Sequence, residues 1–111
     1  MANVSTFSIF DRKVKRLAKK YQSLTNEIIG LGVSLSENPT QGQNLGAGLY
    51  KVRLGSESKG TGKSGGFRVI TYFVDETENE QNVYLVTIYD KSEESTIDKK
   101  ELLKIVQIEM E

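Results

Sequence analysis

The chain has 111 residues, 37% hydrophobic and 27% charged, the composition of an ordinary globular protein with length for one hydrophobic core. It has no histidine and no cysteine, which excludes imidazole catalysis, His- or Cys-ligated metals and a disulfide framework. The formal net charge is zero, yet residues 1–74 carry eleven Lys/Arg against four Asp/Glu and residues 75–111 carry four against eleven. That asymmetry predicts either a basic surface that meets an anion beside an acidic region, or a mixed surface that is simply solvated.

No run approaches the ~20 apolar residues of a membrane span. The opening "MANVSTFSIFDRKVKRLAKK" lacks an apolar stretch of signal-peptide length, so export is not expected. "VSTFSIF", Val4 to Phe10, is β-prone and partly alternating and predicts a first strand. Asp11 suits the cap of a following helix, in which Val14, Leu17, Ala18 and Tyr21 form one apolar stripe. Arg12, Lys13, Lys15, Arg16, Lys19 and Lys20 fill most other positions, so the helix is strongly basic. A second helix is predicted from Thr25, with Leu24, Ile28, Leu31 and Leu35 at helical spacing. Gly30 and Gly32 either weaken it or let it approach the first helix closely. Asn38-Pro39 ends it, because the residue before proline is pushed from helical dihedrals, and "TQGQNLGAG" reads as a surface loop.

Three further strands are predicted. "LYKVRL" alternates, with Tyr50, Val52 and Leu54 on one face and Lys51 and Arg53 on the other. "FRVITYFV" and "VYLVTIY" are almost continuously apolar, as strands covered on both faces should be. The acidic "DETENEQN" suits the hairpin between them. Ser95 and Asp98 then fit a Ser-x-x-Asp cap before a short helix with Leu102, Leu103, Ile105 and Val106. The order β-α-α-β-β-β-α predicts the α+β class: a small, mostly antiparallel sheet of about four strands against two N-terminal helices, with a short C-terminal helix.

Between the second and third strands lies "GSESKGTGKSGG". Its Gly62-Lys63-Ser64 is the tail of a Walker motif, but the first glycine would stand at Glu57. A strand also follows where the phosphate-binding helix should begin, so a nucleotide loop is not predicted. What remains is a flexible Gly-rich loop. Lys51, Arg53, Lys59, Lys63 and Arg68 fall within eighteen residues, opposed only by Glu57. Lysines added to an edge hairpin to deter aggregation would explain Lys59 and Lys63. They do not explain Arg68, which begins an apolar strand and would need an anion if buried. Spread cations with glycines suit a polynucleotide backbone. Tyr50, Tyr72, Tyr84 and Tyr89 are candidates for base stacking as well as for the core.

"NPTQGQNLGAGLYKVRL", the Lys/Gly loop, "SGGFRVITYF" and "VYLVTIYDKSE" together resemble bacterial RelE/HigB-type toxins of toxin–antitoxin pairs, closest to the HigB-like branch. The resemblance covers nearly the whole chain and implies one RelE-like domain over residues 1–111. It implies a ribosome-dependent endoribonuclease that cuts mRNA in the A site by attack of the 2′-OH on the adjacent phosphate, with no metal and no cofactor. The expected setting is the bacterial cytoplasm, without membrane association. The expected partners are a cognate antitoxin, rRNA and mRNA, the toxin being a monomer alone and a hetero-oligomer with its antitoxin.

Matched to the family, Lys51 and Arg53 are the two basic residues of the second strand, and Arg68 is the arginine that holds the scissile phosphate. Lys91 follows the last strand, where leaving-group stabilisation is expected. Lys59 and Lys63 match loop lysines that grip neighbouring phosphates, and Arg12, Lys15, Arg16 and Lys19 would meet rRNA. Some members carry a catalytic tyrosine near the position of Ile97. Its absence leaves Lys51 and Tyr89 as candidates for the general base, with Lys51 ranked first because cations crowd it. A second reading of the same superfamily is a ParE-like toxin that inhibits DNA gyrase by protein contact and cuts nothing. A third is an RNA-binding module without activity.

Overall fold

The computed structural model describes residues 1–60, 62, 65–77, 80–92 and 97–111. The elements are β1 (Asn3–Thr6), α1 (Ser8–Ala18), α2 (Leu24–Glu37), β2 (Gln43–Gly46), β3 (Leu49–Leu54), β4 (Phe67–Thr77), β5 (Glu80–Asp90) and α3 (Lys99–Met110). They belong to the α+β class. The sheet has five strands rather than about four, in the order β1-β5-β4-β3-β2. It is mixed: β1 runs parallel to β5 and all other pairs are antiparallel.

The first strand ends sooner than its β-prone composition suggests. Phe10 extends the stripe of Val14, Leu17 and Tyr21 back by one turn, and all four pack into the same cluster. Helical burial therefore takes residues from Ser8 onward. Asp11 lies in the first turn of α1, where its charge complements the helix dipole, and does not cap it. The cap comes from across the molecule. Glu109 of α3 accepts hydrogen bonds from the Ser8 hydroxyl and, at 3.3 Å, from the Ile9 amide.

The loop expected after Pro39 holds β2, which pairs Gln43 with Lys51 and Asn44 with Tyr50. Gly42 permits this pairing. Its φ is +99° and a Cβ there would stand 2.6 Å from the Lys51 carbonyl oxygen. Gly30 and Gly32 behave differently: added Cβ atoms would meet nothing within 4 Å, so neither glycine serves close helix packing.

Both faces of the sheet are covered. α1 and α2 bury Phe10, Leu24, Leu31 and Leu35 against Val52, Leu54, Phe67, Val69, Val83, Leu85 and Ile88. α3 buries Leu102 and Val106 against Phe7, Leu49, Ile70, Val86 and Tyr89 on the other face. The continuous apolar runs of β4 and β5 require this, since their residues point alternately to both sides. Asp98 is the N-cap of α3, accepting from the Lys100 amide at 3.0 Å, so it does not take the third helical position expected after a Ser95 cap. Ser95 lies outside the described residues.

The register of β5 shifts once in its middle. Thr71 faces Leu85 and Ile70 faces Thr87, so Val86 is an extra residue, a β-bulge. Before it Leu85 faces α1 and α2; after it Ile88 does, and Tyr89 turns to the α3 side.

Candidate functional site

The bulge decides what stands beside Arg68. Register pairs Arg53 with Arg68 across β3 and β4, and Arg68 with Tyr89 across β4 and β5. All three lie on the α3 face, Tyr89 within the core that α3 covers and Arg53 exposed. Directly opposed residues have Cβ atoms about 5 Å apart, and like charges placed so repel. Arg68 is 6% exposed, and one of its guanidinium nitrogens donates to the Phe67 carbonyl at 3.2 Å. Arg53 is exposed and Lys51 half-buried.

These groups border a cleft of about 570 Å³ lined by Gln41, Gly42, Gln43, Lys51, Val52, Arg53, Arg68 and Lys91. Four cations line it and no carboxylate does, among the described residues. β3 supplies Lys51 and Arg53 at alternate positions, β4 supplies Arg68, and the turn after β5 supplies Lys91. The edge strand β2 closes the side, which is why Gly42 and its two glutamines border the cations. A pocket of this kind takes an anion by direct ion pairing, with neutral amides at the rim.

Of the residues named from the sequence, the structure brings Lys51, Arg53, Arg68 and Lys91 to the lining of one cleft. Tyr89 sits behind Arg68, 5% exposed within the α3-side core, and is not among the lining residues. Tyr72 and Tyr84 pack against that same core, Tyr84 stacked on Phe7 at 5.4 Å. Ile97 packs there too. Arg12, Lys15 and Arg16 are exposed on α1 and Lys19 at its C-cap, and α1 packs its apolar stripe on the other face of the sheet. The structure does not bring them to the cleft.

Lys59 has a different engagement from the one expected. Its ammonium pairs with Asp90 and lies 5.1 Å from the centre of the Phe67 ring, on the α1/α2 side. A carboxylate 3% exposed needs a cation, and among the described residues Lys59 pairs with it. The loop that carries it is fastened, not free. Ser23 and Ser58 exchange amide-to-hydroxyl hydrogen bonds at 2.8 and 2.9 Å, and the Glu57 amide donates to Glu27 at 2.7 Å. Lys63 lies outside the described residues. Sequence reasoning missed Gln41, Gly42, Gln43 and Asp90. The glycine flanked by glutamines was the only signal for the first three, and Asp90 gave none.

Burial pushes the Asp90 carboxyl up, but the Lys59 hydrogen bond, the Ser92 amide and hydroxyl and the Lys59 charge outweigh it, bringing the group down to about 2.

A family model described as RelE toxin of the RelE/RelB toxin–antitoxin system matches residues 7–110 of the chain.

Proposed function

The chain belongs to the RelE toxin family of RelE/RelB toxin–antitoxin systems, and from that premise we propose that it is an endoribonuclease that cuts translated mRNA in the ribosomal A site. The observation that carries this reading is the opposed pair Arg53 and Arg68 in a cleft edged by Lys51 and Lys91, with no carboxylate among its described lining residues. Two guanidinium groups facing each other on one strand pair can hold one oxyanion between them, each by paired N–H donors. A phosphodiester is an anion of that kind.

In the proposed reaction the 2′-OH attacks the adjacent phosphate in line with the departing 5′-oxygen. Lys51 takes the 2′-OH proton, Arg53 and Arg68 hold the phosphate and the charge that grows on its oxygens, and Lys91 gives a proton to the leaving oxygen. Donors aimed at developing charge supply the largest part of such catalysis. Tyr89 supports Arg68 from the adjacent strand. The products are a 2′,3′-cyclic phosphate and a 5′-hydroxyl. The exposed cations of α1 hold rRNA while the cleft faces the message. The protein acts in the bacterial cytoplasm as one domain, and an antitoxin silences it by covering the cleft.

The test is induced expression of wild type and Arg68→Ala with genome-wide mapping of mRNA 5′ ends. Wild type is expected to arrest growth and create new 5′-hydroxyl ends within coding regions, and Arg68→Ala to create none. Growth arrest with intact mRNA and altered DNA supercoiling would replace this reading with gyrase inhibition.

A further inference from the structure

Behind the cleft lies a carboxylate to which the reaction above gives no role. Asp90 ends β5 with its side chain on the α1/α2 side, while the next residue, Lys91, lines the cleft. One carboxylate oxygen accepts from the Ser92 amide at 2.9 Å, the Ser92 hydroxyl at 2.8 Å and the Lys59 ammonium. The other accepts from the Tyr21 hydroxyl at 3.3 Å. An aspartate that accepts from the amide two residues on closes an Asx-turn, and the residue spanned by the turn is Lys91.

The turn is also tied to the sheet. The Lys91 amide donates to the Gly66 carbonyl at 3.3 Å, and the Lys59 ammonium reaches the same carbonyl at 3.5 Å. Lys59 is held in turn, its side chain 12% exposed and its ammonium against the rings of Phe67 and Tyr21. Backbone freedom at Lys91 is therefore removed from both ends, by Asp90 through Ser92 and by Gly66 directly. A lysine on a free turn would spread its ammonium over many positions; this one is delivered from a fixed backbone.

We infer that Asp90 is a positioning residue: its Asx-turn, braced by Lys59 and Tyr21, sets where the Lys91 ammonium enters the cleft. This rests on the reading of the cleft as the site of RNA cleavage with Lys91 at the leaving oxygen. A buried ion pair that only held the fold together would act on stability and leave the two residues independent in catalysis.

The experiment compares Asp90→Ala, Lys91→Ala and the double variant by single-turnover cleavage on programmed ribosomes, well below each variant's melting temperature. Amide hydrogen exchange is followed in parallel on the free protein. Lys91→Ala is expected to slow cleavage roughly 100-fold or more, the range for a lost proton donor. Asp90→Ala should slow it about tenfold or more at unchanged ribosome affinity, and the double variant should be no slower than Lys91→Ala. The Ser92 amide should exchange at least about tenfold faster in Asp90→Ala. In Asp90→Asn with Lys59→Met it should stay protected, since the asparagine keeps the Asx acceptor and the buried charges leave together. Losses that multiply in the double variant would overturn the inference, as would unchanged Ser92 exchange in Asp90→Ala. A wild-type protein that cuts nothing overturns the proposed function and the catalytic half of this inference, while the exchange result still decides the turn.

Discussion

Asp90 makes a measurable signature at the residue scale. Its carboxyl titrates at about 2 in the folded protein against an ordinary 3.8. A folded-state value below the unfolded one stabilises the fold above pH ~4 and ceases to do so as pH falls toward 2. A difference of nearly two pH units corresponds to about 2 kcal/mol. Urea unfolding of wild type should therefore lose about 1.5 kcal/mol of extra stability between pH 4.5 and 2.5. Asp90→Asn paired with Lys59→Met should lack this component, and an identical acid profile for the two proteins would show that Asp90 is not held as an anion. The same residue explains why Lys59, in a glycine-rich stretch that invites a phosphate reading, is not at the cleft. Burial of one carboxylate on the helix side of the sheet claims it.

At the scale of elements, glycines of opposite character separate packing from propensity. Gly30 and Gly32 lie in α2 with open space where a side chain would go. Replacing either with alanine should stabilise the protein by roughly 0.5–1 kcal/mol, because alanine loses less backbone entropy in a helix. Gly42 and Gly66 border the cleft strands. A Cβ at Gly66 would clash with the Leu54 carbonyl oxygen, and one at Gly42 would meet Lys51 backbone at a positive φ. Alanine at either should cost roughly 1–3 kcal/mol or more. Thermal denaturation of the four variants checks this, and a destabilised Gly30→Ala would mean that α2 packs on something at that face. α1 has its own dependence on a distant element, since its first turn is satisfied by Glu109 rather than by a residue of its own N-terminus.

For the whole molecule, the charge asymmetry of the chain resolves into two separate basic regions. Lys51, Arg53, Arg68 and Lys91 line the cleft on the α3 face, and the exposed cations of α1 are not among its lining residues. Under the proposed function these regions do different work. Changing Arg12, Lys15, Arg16 and Lys19 together to glutamine should weaken ribosome binding and flatten its salt dependence, since fewer phosphate contacts release fewer counterions. The maximal cleavage rate should change little. A large fall in that rate at saturating ribosome, with the fold intact, would place α1 at the chemistry instead.

The sequence by itself determined the class of fold and named four of the cations that line the cleft. Periodicity located three helices and the long strands, because burial of a stripe or of alternate residues leaves its period in the order of residues. Alternation also gave Lys51 and Arg53 a common face, whereas Lys91 was named only through the family resemblance. The sequence did not reveal β2, whose pairing depends on the edge of β3 and on Gly42, or the parallel placement of β1 beside β5. Nor did it reveal the bulge at Val86. Unbroken alternation from Leu85, which faces α1 and α2, would turn Tyr89 that way and Asp90 to the cleft. One extra residue reverses both. Only the tertiary structure decided that a tyrosine backs Arg68, that a lysine enters the cleft and that the aspartate between them pins the turn from behind, because a bulge is set by pairing with another strand and leaves no period of its own.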